Sequence, residues 1–89
     1  MEKEKLGNFV SELRKEKNMT QKELASILGV TDKAVSKWER GLSYPDISLL
    51  EPLSDTFDVS IVELLQGEHL PKAESISMEA AQKVLDNSL

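Results

Sequence analysis

Between Met19 and Gly41 the chain reads MTQKELASILGVTDKAVSKWERG, and these residues leave the backbone few choices. Thr20-Gln21-Lys22-Glu23 has the form of a capping box, in which a hydroxyl and a carboxylate each satisfy a backbone N–H at a helix start. The helix it opens is expected to turn Leu24, Ile27 and Leu28 inward. Gly29 supplies the positive-φ turn that ends it. Thr31 can cap a second helix, from Asp32 to about Arg40, and Gly41 can stop that one. A helix, a tight turn and a helix follow within one short segment, an arrangement that anchors one side of the second helix and offers the other outward.

Three further helices fit around this pair. Leu6, Phe9, Val10 and Leu13 fall at the spacing of one buried face and predict a first helix from about Lys5 to Lys17, with Asn18 suited to a left-handed stop. Leu42-Ser43-Tyr44-Pro45 reads as a loop, because proline moves the residue before it away from helical geometry. A fourth helix is expected over Ile47 to Phe57, capped by Asp46 or Ser48, with Pro52 leaving one carbonyl unpaired near its start. Ser60-Ile61-Val62-Glu63 repeats the capping-box pattern and opens a fifth helix that ends at Gly67. Strand signals are absent, so the expected class is all-α.

The second helix of the pair carries the chemistry. With Lys33 set at zero and about 100° per residue, Lys37 lies near 40° and Arg40 near −20°. Val35 and Trp38 fall on the opposite side, and Trp38 is therefore read as core rather than as a stacking platform. Such a helix suits a DNA major groove. Lysine donates to the guanine O6/N7 edge, and Ser36 can serve as donor or acceptor. Asp32 can accept from a cytosine amine or complement the helix dipole. Arg40 is better placed for a phosphate, as is Gln21 at the start of the preceding helix. Tyr44 is open between loop packing and a phosphate contact.

Charge runs against this reading. The chain has a formal net charge of −5, where a DNA-binding domain is expected to be basic. The segment after Gly67 contributes Lys72 and Lys83 against Glu68, Glu74, Glu79 and Asp86, but the preceding residues are acidic as well. DNA binding thus requires a segregated basic face and an affinity that falls with salt. With 89 residues and no cysteine, one small domain without disulfide or thiolate metal site is expected. No long apolar run is present, which predicts no membrane association and a cytoplasmic, unprocessed protein.

The stretch Leu13 to Glu68, with its TQKELA, VSKWERG and PDISLL runs, resembles the Cro/cI-type helix-turn-helix family, the phage-repressor-like or XRE group. The resemblance implies a compact five-helix lambda-repressor-like domain over residues 5–67. It also implies a sequence-specific transcriptional regulator, most often a repressor, that binds double-stranded DNA as a homodimer on a pseudo-palindromic operator. By position, the family's base-reading places fall on Asp32, Lys33 and Lys37, with Ala34 and Ser36 as neighbours at the groove. Its phosphate-contacting places fall on Gln21, Arg40 and Tyr44. Its structural ion pair would join Arg14 to Glu39. Asn18 and Asp58 stand where the family commonly has glycine, and Ala34 stands where a small polar residue is common.

Catalysis is not expected. His69 is the only histidine and sits in a segment read as linker, 68–76, and no metal-ligand cluster or phosphate-cradling glycine loop is present. No cofactor is implied, and no small-molecule effector can be named. The alternative function is a protein-interaction module, an antirepressor-, coactivator- or antitoxin-like domain with weak DNA binding, which the acidic charge favours. Residues 77–89 carry Met78, Ala81, Val84 and Leu85 at helical spacing. They are expected to form a C-terminal helical tail that packs back, pairs two copies or leads into a longer protein.

Overall fold

The structure is a computed structural model and describes residues 2–71. The expected tail at 77–89, and the linker residues after Pro71, lie outside the described residues. Five α-helices follow in order: α1 Lys3–Glu16, α2 Gln21–Leu28, α3 Asp32–Glu39, α4 Leu50–Phe57 and α5 Ile61–Gln66. Among the described residues there is no strand.

Each boundary has a local cause. Thr20 accepts from the Glu23 N–H while the Glu23 carboxylate accepts from the Thr20 N–H, both at 3.0 Å. Ser60 and Glu63 do the same at the start of α5, also at 3.0 Å. Thr31 accepts from the Ala34 N–H at 3.2 Å. Gly29, at φ 71°, closes α2 in the left-handed region. Asn18 and Asp58 take up left-handed conformations at φ 55° and 54° without being glycine, as their short polar side chains permit.

Four expectations need correction. The first helix begins at Lys3 and ends at Glu16, two residues earlier than expected at its start and one at its end; Lys17 is its cap and donates to the Leu13 and Arg14 carbonyls. α3 ends at Glu39, and Arg40 caps it, because Gly41 turns left-handed and the Leu42 N–H reaches back to the Lys37 carbonyl at 2.9 Å. The helix expected over 47–57 divides. Ile47–Leu49 is a 3-10 turn capped by Asp46, and α4 starts only at Leu50. Pro52 then falls in the first turn of α4, where its missing N–H has no intrahelical acceptor to disappoint. Finally, Ile27 points outward at 55% exposure. Ala25 takes the inward place beside Leu24 and the half-buried Leu28.

The core is a single cluster. Leu6, Phe9, Val10 and Leu13 of α1 meet Leu24 and Ala25 of α2, Val35 and Trp38 of α3, Leu53 and Phe57 of α4, and Leu64 of α5. Trp38 is buried, as expected from its place opposite the cations. α1 and α3 approach so closely that a Cβ added to Gly7 would stand 2.0 Å from the Trp38 carbonyl oxygen. Backbone packed against backbone fixes the height and tilt of α3 on the core, leaving little freedom for the face it presents.

The end of the domain is tied down past Gly67. The Leu70 N–H donates to Glu63 Oε2 at 3.2 Å, and the His69 ring meets Phe9 edge-on, 5.0 Å between centroids. Residues 68–70, expected as linker, are therefore held on α1 and α5.

Candidate nucleic-acid interface

The buried side of α3 is held by more than apolar contact. Arg14 Nε donates to Glu39 Oε2 at 2.7 Å, and Nη2 donates to Oε1 at 3.0 Å. Arg14 Nη1 donates to the Met19 carbonyl at 2.7 Å. Gln21 Nε2 adds a donor to Glu39 Oε1 at 3.0 Å. Arg14 and Glu39 together thus link α1, the turn before α2, the first residue of α2 and the last of α3. The side chains of Arg14 and Glu39 are only 12% and 7% exposed, so both charges have lost most of their water and depend on each other.

The electrostatics agree with that geometry. Burial by itself would raise the Glu39 carboxyl pKa, but the hydrogen bonds from Arg14 and Gln21 outweigh it and hold it below the usual carboxylate value. The Arg14 guanidinium is stabilised in return, its pKa raised chiefly by the hydrogen bond to Glu39.

The opposite side of α3 is different in kind. Asp32, Lys33, Lys37 and Arg40 are exposed, and Ala34 and Ser36 are half-buried at the edge. Among the described residues no carboxylate pairs with Lys33, Lys37 or Arg40. Arg40 Nε leans back on the Ser36 carbonyl at 3.4 Å, which steadies it at the C-terminal end of the helix. Among the described residues the cations thus lack an ion-pair partner, on a helix whose other face is packed and hydrogen-bonded into the fold.

The flanking positions divide. Gln21 lies at the first position of α2, and the capping box occupies the Thr20 and Glu23 N–H groups. The Gln21 and Lys22 N–H groups therefore fall at the positively polarised start of that helix. Tyr44 is partly exposed in the loop after α3, with the Lys3 ammonium 5.7 Å from its ring centroid. That contact joins the loop to the start of α1. The side-chain bond from Gln21 to Glu39 was not foreseen from sequence. The two residues are eighteen positions apart, and only the crossing of α2 over α3 brings them together.

Among the described residues, no group of three or more His, Cys, Asp or Glu could hold a metal ion. Nor is any helix among them long and apolar enough to cross a membrane.

A family model described as helix-turn-helix matches residues 10–64, which takes in α1 from Val10 through Leu64 of α5. The chain belongs to the XRE-type helix-turn-helix family. Its relatives include the HTH-type transcriptional activator BcrR of Enterococcus faecalis, 48% identical over 61 residues, which are 68% of this chain and 30% of BcrR. SinR of Bacillus subtilis, an HTH-type transcriptional regulator, is 38% identical over 65 residues, 72% of this chain and 59% of SinR. Among solved structures, the P22 c2 repressor bound to a synthetic operator superposes with a TM-score of 0.67 at 32% identity, covering 71% of this chain and 96% of the repressor. SinR in complex with DNA gives a TM-score of 0.61 at 39% identity, covering 67% and 97%. The chain spans from about a third to three fifths of the length of the relatives BcrR and SinR. Residues 10–64 are a helix-turn-helix domain of the DNA-binding regulator type.

Proposed function

We propose that this protein is a sequence-specific transcriptional regulator, a repressor, that lays α3 in the DNA major groove. The observation that carries this is the contrast across α3: Lys33, Lys37 and Arg40 on one side, exposed and without an ion-pair partner among the described residues, and on the other a side locked by Trp38, Val35 and the Arg14–Glu39 pair. Asp32, Lys33 and Lys37 read base edges, with Ser36 and Ala34 at the groove wall, where Ala34 offers a methyl contact to thymine. Arg40 and Tyr44, with Gln21 and the start of α2, take phosphates. The protein works as a homodimer on a pseudo-palindromic operator, in the cytoplasm.

The net charge of −5 sets limits on this reading. Non-specific affinity for DNA is low, and binding depends on a few phosphate contacts at a basic face within an acidic surface. The same acidity is the observation that favours the second reading, a protein-interaction module.

Selection of sites from a random duplex library at moderate salt tests both. The parent chain is expected to enrich a palindrome, and Lys33→Ala/Lys37→Ala is expected to enrich nothing. Half-sites about one helical turn apart, roughly 34–36 Å, identify the dimer geometry. Failure of the parent to enrich any sequence transfers the assignment to the protein-interaction module.

A further inference from the structure

The structural ion pair and the proposed DNA face share one side chain. Gln21 Nε2 donates to Glu39 Oε1, and the same oxygen accepts from Arg14 Nη2, each at 3.0 Å. A primary amide carries two N–H donors in one plane, and Glu39 engages only one of them. Among the described residues the second has no acceptor. Gln21 is half-buried, at the first position of α2, next to the backbone N–H groups left over by the capping box.

The Gln21–Glu39 bond changes what the Arg14–Glu39 pair does. A free glutamine on a helix surface samples several rotamers, and fixing it on a phosphate costs the freedom it loses. Here a carboxylate, itself gripped by Arg14 from α1, fixes the amide before any ligand arrives. Arg14 also offsets the carboxylate's charge, so Glu39 does not confront a phosphate as a bare anion.

We propose that Glu39 is a positioning residue for DNA binding. It holds the Gln21 amide so that its second N–H, together with the N-terminal N–H groups of α2, meets one operator phosphate. The proposal rests on the DNA-reading function above and adds to it a role for a residue that never touches DNA. Loss of the Glu39 contact weakens the phosphate grip even where the fold survives.

The test has two arms, both on the full chain. Without DNA, the side-chain amide of Gln21 is followed by ¹⁵N-resolved NMR, with the exposed Gln66 as internal reference. The two Gln21 amide protons are expected to be widely separated, one of them slow to exchange, and to collapse toward the Gln66 pattern in Glu39→Asp. That variant keeps a carboxylate for Arg14 but withdraws it by one methylene. A Gln21 amide that already resembles Gln66 in the parent overturns the proposal.

With the operator recovered by selection, affinities are compared for the parent, Gln21→Met, Glu39→Asp and the double variant. Each single change is expected to weaken binding about tenfold, the scale of one hydrogen bond to a charged group, and the double no more than the weaker single. A methylphosphonate at the contacted phosphate is expected to weaken the parent more than Gln21→Met, which keeps only the backbone N–H contacts of α2 to that phosphate. Losses that multiply in the double variant overturn the proposal, as does parent-like binding by Gln21→Met. Gln21→Met leaves the ion pair intact, so this result does not depend on the folding of the Glu39 variants. A selection that recovers no operator overturns the DNA reading itself, and the proposal with it. The amide spectrum distinguishes that failure from a failure of positioning alone.

Discussion

α3 carries charge on two sides, and the two sides obey different physics. Glu39 is sunk against Arg14 at 2.7 and 3.0 Å with its side chain only 7% exposed, whereas Lys33, Lys37 and Arg40 stand in solvent and, among the described residues, pair with no carboxylate. On the inner side a charge is tolerable only because its partner is in place. On the outer side charges are tolerable because water solvates them, and they remain available to a polyanion. One eight-residue helix and its cap therefore carry a charged face that holds the fold and another that, on the proposed function, meets DNA.

The sharpest way to break that contrast is to remove charges one side at a time. Glu39→Ala leaves Arg14 buried and unpaired and is expected to lower stability by about 3–5 kcal/mol, measured by urea unfolding. Lys37→Ala is expected to stay within about 0.5 kcal/mol of the parent in the same measurement, since surface changes away from packing are nearly neutral. Comparable losses from both would mean that the outer cations also hold the fold. Stability would then no longer separate the two faces.

Gly7→Ala tests the contrast through the backbone, at a smaller expected size. An added methyl would collide with the Trp38 carbonyl, which cannot move without lifting α3 off α1. The expected loss is about 1–3 kcal/mol, the range for overpacked cores. Affinity for the recovered operator is expected to fall further than global unfolding explains, because α3 and all its cations tilt together. Stability lost with affinity preserved would show that α3 can be displaced without misaligning its outer face.

Much of this was legible in the sequence, and the legible part is local. Thr20 with Glu23, Thr31, Ser60 with Glu63, and the turns at Gly29 and Asn18 are determined by a few neighbouring residues, and each stands where spacing puts it, while the turn at Asp58 was expected only through the family resemblance. Whatever depends on which helix meets which was not legible. Gly7 carries no signal of its own until α3 is laid across it. Ile27 has the right residue type for a core, but α2 is short enough that Ala25 and Leu24 fill the contact and Ile27 is left outside. Pro52 marked a disturbance in the fourth helix without saying that Ile47–Leu49 would form a 3-10 turn and α4 begin only at Leu50. At the candidate site, helical spacing alone separated the cations from Trp38. The Arg14–Glu39 pair was expected only through family resemblance, and the Gln21 bond to Glu39 was not anticipated at all.

Acid should reveal the inner side more gently than mutation, because it neutralises Glu39 without removing an atom. The Glu39 carboxyl is depressed below the ordinary carboxylate value, held there by Arg14 and Gln21 against the opposing effect of burial. A depressed carboxyl contributes stability that is complete above the unfolded-state pKa and disappears as pH falls through the lower, folded-state pKa. Between pH 7 and about 5 this group therefore adds no slope. Below about 4.5 the unfolded chain takes up a proton that the folded chain still refuses, and stability declines. Glu63, depressed mainly by its bond from the Ser60 N–H, adds to the same acid limb from a far more exposed place. The two are separable by variant. Glu63→Gln removes the α5 carboxyl and is expected to take only a minor part of the acid slope with it, since solvent screens that site. Glu39→Gln removes the inner carboxyl and is expected to flatten the limb more strongly, provided its own lower stability is measured at each pH. An acid limb unchanged in Glu39→Gln would place the acid sensitivity on the surface carboxylates and deny the buried pair its distinct electrostatic character.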